Sequence, residues 1–195
     1  MKLELKIICL LARNTERKFT INEVAKSLNE YYSFVHRTVN KLIKDSVIAK
    51  EKAGKSHLCS INLSSEKTVA LIQLSEIENK NDFYNSNKEL KVILEDFVKS
   101  AESTAKPISI VLFGSYAKST ATEESDIDIL LISKAKAAID KMTKDAYAKY
   151  GKEINALLMT PGDFKKQKDK AIIKEIIKNH CVLYGVENFV NLMFK

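Results

Sequence analysis

Hydrophobic positions in the first third of the chain recur at helical spacing, and the expected elements follow from that recurrence. Leu3, Leu5, Ile7, Ile8, Leu10 and Leu11 are dense enough for a mostly buried first helix. "KFT" then leads into "INEVAKSLNE", where Thr20 suits an N-cap and Glu23 stands three residues later, the capping-box spacing. Ile21, Val24, Ala25 and Leu28 continue with helical period. In "YYSFVHRTVNKLIKDSVI", Val35, Val39, Leu42 and Ile43 fall at i, i+4, i+7 and i+8 and make one apolar face. Ser33, His36, Arg37, Asn40, Lys41 and Lys44 lie on the other. Two strand-like runs in "VIAKEKAGKSHLCSINL" flank Ala53-Gly54-Lys55-Ser56, which predicts a β-hairpin with lysines at its tip.

Residues 66–100 read as helical with a weak centre. Val69, Ile72, Leu74 and Ile77 form one apolar set, and Leu90, Ile93, Leu94, Phe97 and Val98 a cleaner one. Between them, "ENKNDFYNSNKE" is rich in asparagine, a poor helix former, and fits a kink, a loop or a polar stretch of one long helix. The pattern then changes to short apolar runs. "ISIVLFGS" (Ile108–Ser115), "SDIDILLIS" (Ser125–Ser133) and "EINALLMT" (Glu153–Thr160) read as strands. "KAKAAIDKMTKDAYAKYG" between the second and third reads as a helix closed by Gly151. "PGDFKKQKDKAIIKEIIKNH" predicts a basic helix with Asp163 as N-cap, and "CVLYG" a short edge strand.

Composition narrows the class. The chain has 195 residues, 45% of them hydrophobic, enough for one large domain or two small ones. Charges interrupt the apolar N-terminus "MKLELKIICLLARN", and the longest apolar run falls short of a membrane span, so a soluble cytoplasmic protein with no membrane partner is expected. Cys9, Cys59 and Cys181 are far apart and form no CxxC pair, which argues against a disulfide framework or a zinc knuckle. His57 and Cys59 read as part of a plain strand. The net charge is +7, and residues 1–63 carry 12 Lys+Arg against 6 Asp+Glu. The basic excess is thus concentrated in the first third, as for a module that meets a polyanion.

Three helices followed by a basic hairpin resemble the winged helix-turn-helix fold of DNA-binding regulators, over residues 1–63. The resemblance implies that the third helix enters the major groove of double-stranded DNA and that the hairpin touches the backbone or minor groove. The candidate contacts are Ser33, His36, Arg37, Asn40, Lys41, Lys44, Lys52 and Lys55. Arg37 and Asn40 can read base edges through paired hydrogen bonds, and the lysines can neutralise phosphates. A homodimer on a palindromic site is common for such proteins. A solvated polar face and a protein-interaction module are the competing readings.

The second module carries the candidate chemistry. Asp126 and Asp128 are separated by one strand residue, so their carboxylates share a face, while Ile127, Ile129 and Leu131 point to the other. Two carboxylates that close repel each other unless a cation or proton lies between them. Mg²⁺, a hard ion that binds one or two carboxylates together with phosphate, is the obvious cation. Gly114-Ser115 ends the neighbouring strand where a short helix begins; glycine lets a phosphate approach the backbone.

"GSYAKSTATEESDIDILLI" resembles the signature of the DNA polymerase beta-like nucleotidyltransferase superfamily, a Gly-Ser followed about ten residues later by an Asp-x-Asp strand. The minimal nucleotidyltransferases are the nearest in form, over about residues 88–190. The resemblance implies that Asp126 and Asp128 hold two Mg²⁺ ions, that Gly114 and Ser115 bind the pyrophosphate portion of an NTP, ATP first among them, and that Lys118 offsets phosphate charge. It implies transfer of a nucleoside monophosphate to an acceptor hydroxyl, in some relatives as antitoxins that modify a HEPN-type toxin. Two departures stand out. The family's third carboxylate falls at Glu153 or Asn155, and asparagine cannot act as a base. Ser119 stands where relatives often have glycine. The lysines at 165, 166, 168, 170 and 174 read as a solvated helix face.

The expected fold class is α+β: a winged helix-turn-helix over 1–65, a helical linker over 66–100, and a nucleotidyltransferase α/β core with a short mixed sheet over 101–195. The competing function is a transcription regulator whose core senses nucleotide or has lost activity. A purely structural interaction scaffold is the third.

Overall fold

The capping box anticipated at Thr20 opens the second helix: the Glu23 backbone N–H donates to Thr20 Oγ1 at 3.2 Å, and the Thr20 N–H donates to Glu23 Oε2 at 2.8 Å. The computed structural model describes residues 1–54, 56–134 and 139–194. Helices α1 (Leu3–Ala12), α2 (Ile21–Leu28) and α3 (Tyr32–Lys44) precede strands β1 (Ile48–Ala53) and β2 (Ser56–Ile61). Ile7, Ile8, Leu11, Val24, Val35, Val39 and Leu42 are buried, so each helix turns its predicted apolar stripe inward. Burying each such side chain contributes roughly 1.5–3 kcal/mol. β1 and β2 pair antiparallel from Ile48↔Ile61 to Ala53↔Ser56, and Phe19 bridges to Cys59 on the far side of β2.

Helix α4 (Glu66–Ser86) runs on almost directly into α5 (Lys88–Ala105). The asparagine-rich stretch is helical as far as Ser86, and the chain breaks at Asn87, whose amide donates to the Phe83 carbonyl at 2.8 Å. By its internal contacts the chain divides into two units, Met1–Glu78 and Asn79–Lys195, with the division inside α4.

The second unit is built on a four-stranded mixed sheet. Strands β3 (Ser109–Phe113), β4 (Ile127–Ile132), β5 (Ile154–Met159) and β6 (Cys181–Tyr184) lie in the order β5-β4-β3-β6. β3 is antiparallel to both β4 and β6, while β4 and β5 are parallel. The intervening helices are α6 (Gly114–Ala117), α7 (Ile139–Tyr150), α8 (Pro161–Lys166), α9 (Ala171–Lys178) and α10 (Val186–Phe194). The architecture is the α+β class expected, with β6 as the edge strand read from "CVLYG".

Two points correct the sequence reading. The cap after β5 is Thr160, whose Oγ1 accepts from the Asp163 N–H at 3.1 Å; Asp163 lies inside α8, its carboxylate accepting from the Thr160 hydroxyl at 2.7 Å. The single basic helix is also two, α8 and α9, so that Phe164 and the pair Ile173 and Ile176 reach one core separately. That core is a second one. Ile127, Ile129 and Leu131 pack with α5 and α7 residues, whereas Leu130 and Ile132 pack with Phe164, Ile173, Ile176 and Phe189. A sheet buried on both faces reads as a continuous apolar run rather than as an alternation.

Candidate active site

Asp126 and Asp128 stand at the start of β4 on the same face as Leu130 and Ile132, where that face emerges from beneath its helices. Asp128 pairs with Phe113 on one side and Asn155 on the other. It is partly buried and Asp126 is exposed. Burial, and then the neighbouring Asp126 charge, raise the Asp128 carboxyl above its ordinary value.

Gly114 shows why a glycine precedes the helix. Its φ is +70°, in the left-handed region, and a Cβ built there would overlap Asp128 Oδ2 and lie 2.9 Å from its Cγ. Only a hydrogen at this position leaves room for the carboxylate. Ser115 follows in the first turn of α6. Beyond α6, Ser119 adopts φ 59°, the same left-handed region, a conformation that glycine adopts more readily than serine.

Lys118 forms an ion pair with Glu175 of α9 at 2.8 Å. The same Glu175 oxygen accepts from the Asn179 amide, and these two hydrogen bonds hold the Glu175 carboxyl below its usual range.

The two third-strand candidates separate. Asn155 Nδ2 donates to Asp126 Oδ2 at 3.2 Å, so Asn155 joins the aspartates. Glu153 lines a depression of about 420 Å³ with Thr143, Lys144 and Tyr147 of α7. Among the described residues no three His, Cys, Asp or Glu side chains converge to hold a metal. Two carboxylates and an amide remain, all oxygen-bearing, and burial together with the Asp126 charge raises the Asp128 carboxyl. That donor set fits a hard cation completed by phosphate oxygens.

In the first unit, Ser33, His36, Arg37, Asn40, Lys41 and Lys44 line one surface depression of about 480 Å³ along α3. Lys41 also reaches Glu4 at 3.4 Å. Lys52 is exposed on β1, opposite His57. Lys55 lies outside the described residues. Sequence reasoning passed over the aromatics beside this face: Tyr31, Tyr32 and Phe34 are all exposed. The dense cluster of large rings at the start of a helix was the signal available for them.

A Gly-Ser turn and an Asp-x-Asp strand side by side on a small mixed sheet define a nucleotidyltransferase-type core. Residues 91–185 match the nucleotidyltransferase domain family. Two curated proteins of Methanocaldococcus jannaschii, each named "Putative protein adenylyltransferase", are similar to the chain. MJ1305 is 35% identical over an alignment of 112 positions that covers 52% of this chain and 76% of that protein. MJ0604 is 36% identical over an alignment of 95 positions that covers 47% of this chain and 94% of that protein. No solved structure matches the chain with significance. The chain belongs to the nucleotidyltransferase domain family, and its function is enzymatic. Among the described residues no helix is long and apolar enough to cross a membrane.

Proposed function

We propose that the protein is a Mg²⁺-dependent adenylyltransferase that moves AMP from ATP to a hydroxyl on a protein, and that its N-terminal module binds double-stranded DNA. The single observation carrying the transferase reading is the close approach of Gly114 to Asp128, which sets the phosphate turn against the carboxylate pair. The relatives' names supply the adenylyl group and the protein acceptor.

In this reading Asp126 and Asp128 would hold two Mg²⁺ ions. The bound metal would neutralise phosphate charge as the α-phosphorus is attacked. Asn155 keeps the Asp126 carboxylate turned toward the site. The turn at Gly114 and Ser115 receives the β- and γ-phosphates, and Lys118 must leave Glu175 to reach them. The acceptor hydroxyl gives up its proton to solvent as its oxygen forms a bond to the α-phosphorus, the bond to the bridging oxygen breaks, and pyrophosphate departs. Catalysis of this kind is mostly positioning and charge compensation.

The domain reading is a winged helix-turn-helix over residues 1–65, a helical linker over 66–100 and the transferase over 101–195. The basic face of α3 and Lys52 and Lys55 of the hairpin would contact DNA, with two copies on a palindromic site. An antitoxin that adenylylates a HEPN-type toxin in the cytoplasm and represses its own gene would use both modules.

The test is incubation with Mg²⁺ and ATP labelled at the α-phosphate, together with a lysate of the source cell. Label should move to a protein, and Asp126→Ala or Asp128→Ala should reduce the rate by about 100-fold or more. ATP binding without transfer to any acceptor would instead favour the regulator with a nucleotide-sensing core, the reading that Asn155 at the third-carboxylate position supports.

A further inference from the structure

Three of the first four residues from the α3 cap onward are large exposed aromatics. Tyr31 is 77% exposed, Tyr32 52% and Phe34 51%. They fall into two pairs: Tyr31 and Phe34 meet edge to face at 6.2 Å, and Tyr32 lies tilted over His36 at 5.6 Å and 31°. The Asn40 amide nitrogen reaches the His36 ring nitrogens at 3.2 and 3.3 Å. Tyr32, His36 and Asn40 therefore form a ladder at i, i+4 and i+8 on one face of the helix. Arg37 flanks it, and α3 contains no acidic residue.

We propose that this ladder and the aromatic cluster at its head read A·T pairs in duplex DNA, the rings lying against thymine methyl groups and the Asn40 amide on adenine. The proposal rests on the DNA-binding reading of the first module. Three large exposed rings within one turn of a helix mark an interaction surface, and the surrounding positive charge selects a polyanion. In the major groove the thymine methyl is the apolar feature of an A·T pair, and adenine presents the donor and acceptor that an asparagine amide matches. An anionic membrane would also attract rings and cations. The apolar stripe of α3, however, is already committed to the core through Val35, Val39 and Leu42, and beyond Tyr32 the ladder continues as the imidazole of His36 and the amide of Asn40. That arrangement suits base edges rather than acyl chains.

The full chain is titrated by fluorescence anisotropy against an A·T-rich duplex, a G·C-only duplex and the A·T-rich duplex with deoxyuridine for thymidine. The last change removes only the methyls. The A·T-rich duplex should bind best, and loss of the methyls should weaken binding about three- to fivefold for each one contacted. Tyr32→Ala/Phe34→Ala should abolish the methyl effect, and Asn40→Ala should cut the A·T preference about tenfold. Tyr32 and Phe34 are exposed and Asn40 is only partly buried, so both variants should keep the parent Tm. Salt-sensitive binding that ignores sequence and methyl content overturns the proposal and leaves the DNA reading standing. Binding to phosphatidylserine vesicles with no binding to any duplex overturns both.

Discussion

The Asn155 amide donates to the Asp126 carboxylate at 3.2 Å, so the neighbouring strand presents an amide rather than a third carboxylate to the aspartate pair. It lends the pair a hydrogen-bond donor and adds no charge. Asn155→Asp should reverse that balance. With three carboxylates together, the metal-free protein should lose about 1 kcal/mol, and MgATP should raise its Tm more than it raises that of the parent. Thermal melts with EDTA and with MgATP measure both; identical responses in parent and variant would show that position 155 does not share the site.

Gly114→Ala tests the packing of the phosphate turn against Asp128. The substitution forces a side chain into φ +70° and into the space of the Asp128 carboxylate. Stability should fall by about 2 kcal/mol from backbone strain alone. Transfer should fall further than stability, because Asp128 must move aside. Urea denaturation and the labelled-ATP assay, run on the same preparation, separate the two effects.

Arg13 and Glu76 form a two-pronged pair in the first unit, with contacts of 2.6 and 3.2 Å, and Glu76 is fully buried. Arg13→Ala removes both of these contacts from a fully buried carboxylate and should cost about 3–5 kcal/mol. The double variant Arg13→Met/Glu76→Leu should recover most of the loss, since two apolar groups leave no charge to desolvate. Chemical denaturation of the three proteins decides it; a double variant no better than Arg13→Ala would assign the loss to packing.

Cys9 lies buried beside that pair. Burial is the main cause that pushes its thiol up to about 11; nearby Arg13 opposes the shift and Glu76 adds to it. A thiol whose folded pKa is raised keeps its proton longer in the native state than in the unfolded chain. The associated stability is complete below pH 9 and is lost as pH rises from 9 toward 11. Cys9→Ala should therefore show a flatter decline over that interval, read from urea midpoints at successive pH values. In the native protein at pH 8, Cys9 should resist a thiol reagent until urea is added.

Much of this was legible along the chain because it is local chemistry. The capping box at Thr20 is a four-residue signal, and the Gly-Ser and Asp-x-Asp strand ends lie within one short stretch. The misplaced cap at Asp163 shows the limit of such signals. Thr160 and Asp163 both suit a helix start, and the φ and ψ of Thr160, set by the end of β5, decided between them. The second core was hidden for a related reason. Leu130 and Ile132 share a face with the aspartates, and only the helices that cover them show that this face is apolar inside and polar at its mouth.

The order of residues alone thus determined the helical first third, its basic face, the strands of the second unit, and the carboxylate pair at a strand start. Those features need only spacing and residue type. Tertiary structure decided which third-strand residue meets the aspartates: parallel pairing of β4 and β5 sets Asn155 beside Asp128, while Glu153 lines the depression against α7. It also decided that Lys118 is tied to Glu175, fifty-seven residues away. Both depend on strand register and helix packing, which are set by burial across the whole unit rather than by any local run of the chain.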